Sequence, residues 1–319
     1  TGFQVVQTGS IFTNMRYGFY QKFDVQHKLI LSSFIGGNDQ TDAFDVEVNS
    51  ARDAYIVGAT SATNFLTLPK NGAFNDAAQG STANGAREDW FIIKFNSNAQ
   101  YTWGTYFGGT KNDRGLSCTI DNADNLYVVG YTDNGSLSAV PNGSAFQDNT
   151  WNGSLDGFLT KFNSSDSLIW ATYYGGSSID EAYSCKVDAS NNLYISGATY
   201  SSNFPTFRSS SSFYKDSTLA GTIDMFMLKF NSSGVRQWSS YFGGTGEEGS
   251  LYYPTHKGIA LDQSQNIYFA DNTTSTDMYT KRSGGTCYYD STFGGRIDAF
   301  ILKFNSSLAP QYCTYVGGS

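Results

Sequence analysis

The sequence predicts an all-β protein, a β-propeller of four-stranded antiparallel blades of about 70 residues each, and three observations carry that expectation. The first is a stretch stated repeatedly. Asp156–Gly176 reads DGFLTKFNSSDSLIWATYYGG, Asp89–Gly109 reads DWFIIKFNSNAQYTWGTYFGG, Asp224–Gly244 reads DMFMLKFNSSGVRQWSSYFGG and Asp298–Gly318 reads DAFILKFNSSLAPQYCTYVGG. A weaker copy, Tyr17–Gly37, precedes them. The second is spacing: the lysine of the Lys-Phe-Asn/Asp step falls at 22, 94, 161, 229 and 303, at intervals of 72, 67, 68 and 74. The third is composition, with 16% aromatic and 15% charged residues, 34 glycines and 5 prolines, the usage of many short strands joined by turns. A solenoid would repeat at a shorter period and a sandwich would not repeat. The units run 1–37 (partial), 38–109, 110–176, 177–244 and 245–319 within a single domain.

Each full unit holds four strand signals. The first is a short apolar run ending in a polar residue: Val46–Asn49, Cys118–Asp121, Cys185–Asp188 and Ile259–Asp262. The second follows an Asn/Asp-rich turn, at Ala54–Gly58, Leu126–Gly130, Leu193–Gly197 and Ile267–Ala270, and makes a hairpin with the first. A longer loop carries Asn-Phe at 64–65 and 203–204. The third strand places Phe91, Ile93 and Phe95 on one face, repeated by Phe226, Leu228 and Phe230, with Ile92 or Met227 behind. A strand apolar on both faces packs against sheets on each side. Asn-Ser-Ser at 163, 231 and 305 is turn chemistry leading to the fourth strand. Four first-and-second pairs against five third-and-fourth pairs make 18 strands. That imbalance predicts a segment of a longer product, or a blade completed by a partner.

The recurring elements Asp-x-Phe-x-x-Lys-Phe-Asn, Tyr-Phe-Gly-Gly, x-Val-Asp, Asn-x-Tyr-x-x-Gly-x-Thr and Asn-Phe-Pro together resemble the SBBP repeat, a β-propeller repeat of secreted bacterial proteins. The resemblance covers nearly the whole chain. It departs in longer blades, an expansion at Ser250–Thr255 and the degenerate first copy. It implies an exported, cell-surface protein of Bacteroidetes-like bacteria and supplies no shared catalytic residues.

Net charge is −8 and no basic block of five residues occurs, which disfavours nucleic acid and anionic membranes as partners. No apolar run approaches the roughly 18 residues of a membrane span, and Thr1 does not open a signal peptide.

Candidate chemistry is sparse. Four residues past Gly-Gly stand Asp113, Asp180 and Glu248, with Glu181 and Glu247 beside them and Asp39 and Asp42 near the same place in the first copy. A radial array would set these on one rim, as a partner-binding or Ca²⁺-binding acidic ring. The alternative is that each caps its own turn. Asp121, Asp188 and Asp262 are expected to cap turns, and the repeated lysine to pack its stem and leave its amine in water. Trp103, Trp170 and Trp238 fill a structural slot, held by Tyr312 in the last copy. Trp151, Tyr252 and Tyr253 lie in unrepeated loops and are the ligand candidates. Cys118 and Cys185 occupy strand slots as buried thiols, while a Cys287–Cys313 disulfide is admissible and would imply an oxidising compartment. His27 and His256 make neither a zinc site nor a catalytic triad. The resulting expectation is a non-enzymatic, cofactor-free scaffold that binds a protein or cell-envelope partner. A glycan-binding module and a secreted hydrolase are the alternatives.

Overall fold

The structure is a computed structural model that describes residues 16–80, 87–133, 135, 137, 139–141, 143, 145–249 and 258–318. Every regular element among them is a strand. β1 (Gly18–Phe23) and β2 (Leu29–Ile35) form a two-stranded sheet. Four larger sheets follow in chain order. The first joins β3 (Thr41–Val48), β4 (Ala54–Thr60), β5 (Asp89–Phe95) and β6 (Tyr101–Phe107). The second joins β7 (Asp113–Ile120), β8 (Leu126–Thr132), β9 (Asp156–Phe162) and β10 (Leu168–Tyr174). The third joins β11 (Asp180–Val187), β12 (Leu193–Thr199), β14 (Asp224–Phe230) and β15 (Arg236–Phe242), with the two-residue β13 (Phe207–Arg208) beside β15. The fourth joins β16 (Gly258–Leu261), β17 (Ile267–Thr273), β18 (Asp298–Phe304) and β19 (Pro310–Val316). Each is an antiparallel meander, so one repeat makes one sheet.

Two details depart from the sequence reading. In the first three full modules the first strand begins at the residue four past Gly-Gly, well before the apolar run. A bulge between Ala43 and Asp45, Gly115 and Ser117, or Ala182 and Ser184 inserts an extra residue there. Bulges break the two-residue alternation that marks a strand in sequence. The described residues also hold 19 strands rather than 18. The extra one, β13, is the fullest form of a contact that each of the four-stranded modules makes. Phe207 pairs with Ser239, and Leu68 with Gly104, Val140 with Ala171 and Lys281 with Cys313 in the same way. The long loop thus lies along the outer strand, and the small residue it meets lets the backbones approach.

The chain resolves into two compact units: the described residues up to Val140 with Leu159–Ala171, and Pro141–Phe158 with the described residues from Thr172 onward. In the first, Leu31 and Ile35 of the partial module pack on Ile56, Phe91, Ile93, Phe95 and Tyr106 of the next. In the second, Met225, Met227, Trp238 and Phe242 pack on Phe269, Phe300, Leu302, Phe304 and Tyr315 of the next. The rule is the same in both: the Phe-x-x-x-Phe face of one module receives the opposite face of the module before it.

Turns reinforce this seam. The first residue of each third-to-fourth-strand turn (Asp24, Asn96, Asn163, Asn231, Asn305) accepts two backbone N–H groups two and four residues on, at 2.9–3.1 Å. The fourth is left-handed, with φ of 62° at His27, 61° at Ala99, 69° at Asp166, 75° at Gly234 and 55° at Leu308. Only one of these is glycine, and at Asp166 and Leu308 a tertiary contact helps offset a cost of about 1–2 kcal/mol. That contact is visible. Asp166, Gly234 and Leu308 each accept through their carbonyls the N–H of an aromatic (Phe74, Phe146, Tyr214) in the preceding module's loop, at 2.9–3.0 Å.

Phe226 lies fully buried in this seam, its ring 4.7 Å from Phe204 and 6.5 Å from Tyr174. Phe226→Ala is expected to cost about 3–5 kcal/mol in urea-induced unfolding, and a loss below about 1 kcal/mol contradicts the packing.

Candidate functional site

The carboxylates expected on a rim are inside. Asp113, Asp180 and Glu248 are fully buried, and each accepts the backbone N–H of the second glycine of its Gly-Gly step, at 2.8, 2.7 and 2.9 Å. Ser201 also donates to Asp180 at 2.7 Å, and Thr273 and Ser275 donate to Glu248 at 2.6 and 2.5 Å. Solvent and partners are therefore closed to all three. Glu181 is buried as well and accepts the Tyr183 hydroxyl, while half-buried Glu247 accepts from Thr222 at 3.1 Å. In the first full module the equivalent place belongs to neither Asp39 nor Asp42. It is Thr41, bonded to Thr60 at 2.7 Å, while Asp42 pairs with Arg16 at 2.9 Å and Asp39 accepts the Gln40 N–H at 2.7 Å.

Each buried acid has a second one beside it that the sequence reading did not single out. This is the aspartate opening the third strand. Asp89, Asp156, Asp224 and Asp298 accept N–H groups of the preceding loop from Gly80, Asn152, Ala220 and Gly294 at 2.9, 2.8, 3.1 and 2.7 Å. The first glycine of Gly-Gly is wedged between the pair. A Cβ on Gly243 would stand 2.4 Å from Glu248 Oε2 and 2.5 Å from Asp224 Oδ1, and one on Gly175 would stand 2.7 Å from Asp156 Oδ1 and 2.9 Å from Asp180 Oδ2. These positions tolerate only glycine. The Oδ1 atoms of Asp89, Asp113, Asp156, Asp180 and Asp298 are buried without a hydrogen-bond partner. Desolvation pushes Asp89, Asp156 and Asp224 up to about 7 and Asp113 up to about 8, and the neighbouring acid adds to the shift in Asp113, Asp156 and Asp224. At the first junction the two positions are Tyr17 and Thr41, both uncharged. The seam accommodates neutral groups there, and the raised acids approach the same state.

The repeated lysine also departs from expectation. Lys94 and Lys161 are buried rather than reaching water. Their ammonium groups lie over the rings of Tyr55 and Tyr127 at 4.7 Å, and Lys229 and Lys303 lie over Tyr194 and Tyr268 at 5.0 and 4.8 Å. The aspartate ending the first strand completes the unit. Asp121, Asp188 and Asp262 cap their turns through two N–H groups at 2.8–3.0 Å and accept the tyrosine hydroxyl at 3.1–3.2 Å. Asp121 pairs with Lys161 at 3.5 Å. One such cluster is enlarged. Asp166, itself buried, accepts from Tyr55 at 2.6 Å and pairs with Lys70 at 2.5 Å and Lys94 at 3.3 Å.

Trp103, Trp170 and Trp238 are fully buried, as a structural slot requires, whereas Trp151 is half-buried in the loop before β9. Tyr252, Tyr253 and His256 lie outside the described residues. His27 is exposed at its turn. Cys118 and Cys185 are buried, and Cys287 and Cys313 are not joined. Cys313 faces the core among Phe300, Leu302 and Tyr315, where burial pushes its thiol up to about 12, while Cys287 sits in the loop between β17 and β18. Among the described residues no group of three or more His, Cys, Asp or Glu side chains forms a metal site, and no helix is long and apolar enough to cross a membrane.

What the surface does offer is apolar. Phe19, Phe23 and Phe34 of β1 and β2 are 66%, 52% and 55% exposed. Their counterparts in the second unit, Phe226, Phe230 and Tyr241 or Phe300, Phe304 and Tyr315, are all buried. Phe44, Val46 and Val48 of β3 are exposed as well. The cause is the partial module. It has no first and second strands among the described residues, and β1 bonds only to β2.

No family model matches the chain. An uncharacterized WD repeat-containing protein, L264 of Acanthamoeba polyphaga mimivirus, is 21% identical over 228 residues, covering 66% of this chain and 16% of that protein. The chain thus spans about a sixth of that relative's length. A gluconolactonase structure, XC5397 of Xanthomonas campestris, is similar over 78% of this chain and 61% of its own, with 12% identity and a TM-score of 0.35. A likeness of that strength says nothing about chemistry here. The class that sequence and sheets define is an all-β repeat protein built from four-stranded antiparallel modules.

Asp166→Ala takes a buried acceptor from the Tyr55 hydroxyl and one of two carboxylates from Lys94, whose ammonium keeps Asp53 at 3.4 Å. It is expected to lower unfolding stability by about 1–3 kcal/mol, measured by urea denaturation; a change within about 0.5 kcal/mol contradicts the cluster's role. The paired acids set a pH dependence of unusual sign. A carboxyl whose folded value lies above its unfolded value binds more protons when folded, so stability falls as pH rises between the two. With ordinary values near 3.8 and folded values of about 7 to about 8, the loss spans that window and levels off above it. The urea midpoint is expected to be higher at about pH 5 than at about pH 8, and Asp113→Asn to flatten the slope. A midpoint that rises with pH over this range overturns the assignment.

Proposed function

We propose that the chain is part of a β-propeller-type scaffold of the SBBP kind, exported to the cell surface, which binds a protein through the apolar face of its partial module and carries out no catalysis of its own. The supporting observation is how its side chains are distributed. The repeated carboxylates and lysines that could have served chemistry are engaged inside the modules, as turn caps and over tyrosine rings. The exposed phenylalanines of β1 and β2 have no such internal role. Contiguous exposed apolar side chains on a folded surface mark interaction sites. Export and SBBP kinship rest on the repeat's motifs, and a binding role accords with the WD-repeat likeness.

The test is affinity capture from the source organism's envelope fraction with wild-type chain and a Phe19→Ser/Phe23→Ser variant as baits. Proteins retained by the first and lost by the second are expected. Identical retention, or turnover of polysaccharide or ester substrates by the purified chain, overturns the reading.

A further inference from the structure

The acid pairs differ from seam to seam, and the difference follows the length of one side chain. Where Asp224 faces Glu248, all four carboxylate oxygens are engaged. Asp224 accepts from Ala220 and Gly221 at 3.1 and 3.4 Å, and Glu248 accepts from Gly244, Thr273 and Ser275. Where Asp89 faces Asp113 and Asp156 faces Asp180, the backbone N–H groups reach only Oδ2 of each acid. Each of the four Oδ1 atoms is buried without a hydrogen-bond partner, on side chains that are themselves fully buried. The members of a pair converge. The position a Gly175 Cβ would take lies 2.7 Å from Asp156 Oδ1 and 2.9 Å from Asp180 Oδ2, and the Ser178 carbonyl stands with Asp156 Oδ1 beside Gly153. A dry carboxylate oxygen left without a counterpart is costly and calls for one.

We propose that the Asp89–Asp113 and Asp156–Asp180 pairs are structural calcium sites, in which the orphaned Oδ1 atoms ligate one divalent cation per seam. Two carboxylates balance its charge. The hydroxyls of Thr132 and Thr199, which bond Asp113 and Asp180, and the Ser178 carbonyl add further oxygens. A donor set made of oxygen alone selects a hard cation over zinc. Magnesium retains several of its waters, and a seam in which a glycine Cβ would already clash has no place for them. The extra methylene of Glu248 lets it engage both of its oxygens, so the Asp224–Glu248 seam is not a site. Asp298 has no second acid opposite it among the described residues and is not one either. The cation is enclosed as the seam forms, so its binding adds to folding stability. The pH dependence given above is that of the metal-free seams.

The experiment is to refold the chain from urea in about 1 mM calcium, desalt it, count bound calcium by atomic emission and record thermal unfolding. Two calcium ions per chain are expected, with a thermal midpoint about 5 °C above that of chain refolded in EDTA. Magnesium in place of calcium is expected to leave the midpoint at the EDTA value. Asp180→Glu copies the Asp224–Glu248 seam that the chain already folds with, and is expected to lower the count to one. Asp113→Glu is expected to do the same, and Glu248→Asp to raise the count to three. Wild-type chain that holds no calcium after desalting overturns the inference whether or not the variants fold. A count unmoved by all three substitutions overturns it too, as does an equal rise in midpoint with magnesium.

Discussion

The structure depends on one contact, the seating of a Phe-x-x-x-Phe strand face onto the back of the module before it. A four-stranded sheet of this size, apolar on both sides, cannot cover itself. Phe91 needs Leu31 and Ile35, and Phe300 needs Met225 and Phe242. Each seam buries several aromatic side chains of 150–250 Å², so stability accrues from neighbour to neighbour as in other repeat proteins. A module without a neighbour is left with apolar surface. Among the described residues, exposed large apolar side chains accordingly fall mainly on the partial module, on β3 and on the last module.

The polar side of the seam follows from the apolar side. Packing sheets this closely closes off the strand ends, where Gly-Gly steps and long loops leave backbone N–H groups in need of acceptors. Carboxylates answer that need, with Asp113 on one chain segment and Asp89 on the other, around a glycine that leaves room for no side chain. The cost is two acids in one dry place, which raises their proton affinity. The lysine–tyrosine–aspartate units solve the opposite problem. A cation drawn under the sheet edge is held over a ring and beside a turn-capping acid.

Much of this was legible in one dimension. The 21-residue stretch, its spacing, the Asn-initiated turns and the alternating Phe face all map onto β5–β6, β9–β10, β14–β15 and β18–β19. The bulged start of the first strand was not legible, because an extra residue and a buried acid erase its alternation. The acid pairs were half visible. Asp89 and Asp113 both recur by position, but they lie 24 residues apart and meet only once hairpins close. Burial of Lys94 was hidden because a lysine at a strand end normally reaches water, and the tyrosine beneath it is contributed by another strand.

The amino-acid order alone determined the repeat, the strand count to within the two-residue β13, and the identity of the turn and seam residues. These follow from local chemistry: side-chain alternation, Asx turns and glycine where no Cβ fits. Tertiary structure decided which polar groups are buried and which apolar ones remain outside. Burial belongs to what lies opposite, and Phe19 and Phe91 occupy the same place in the repeat with opposite fates because, among the described residues, only Phe91 has a module in front of it.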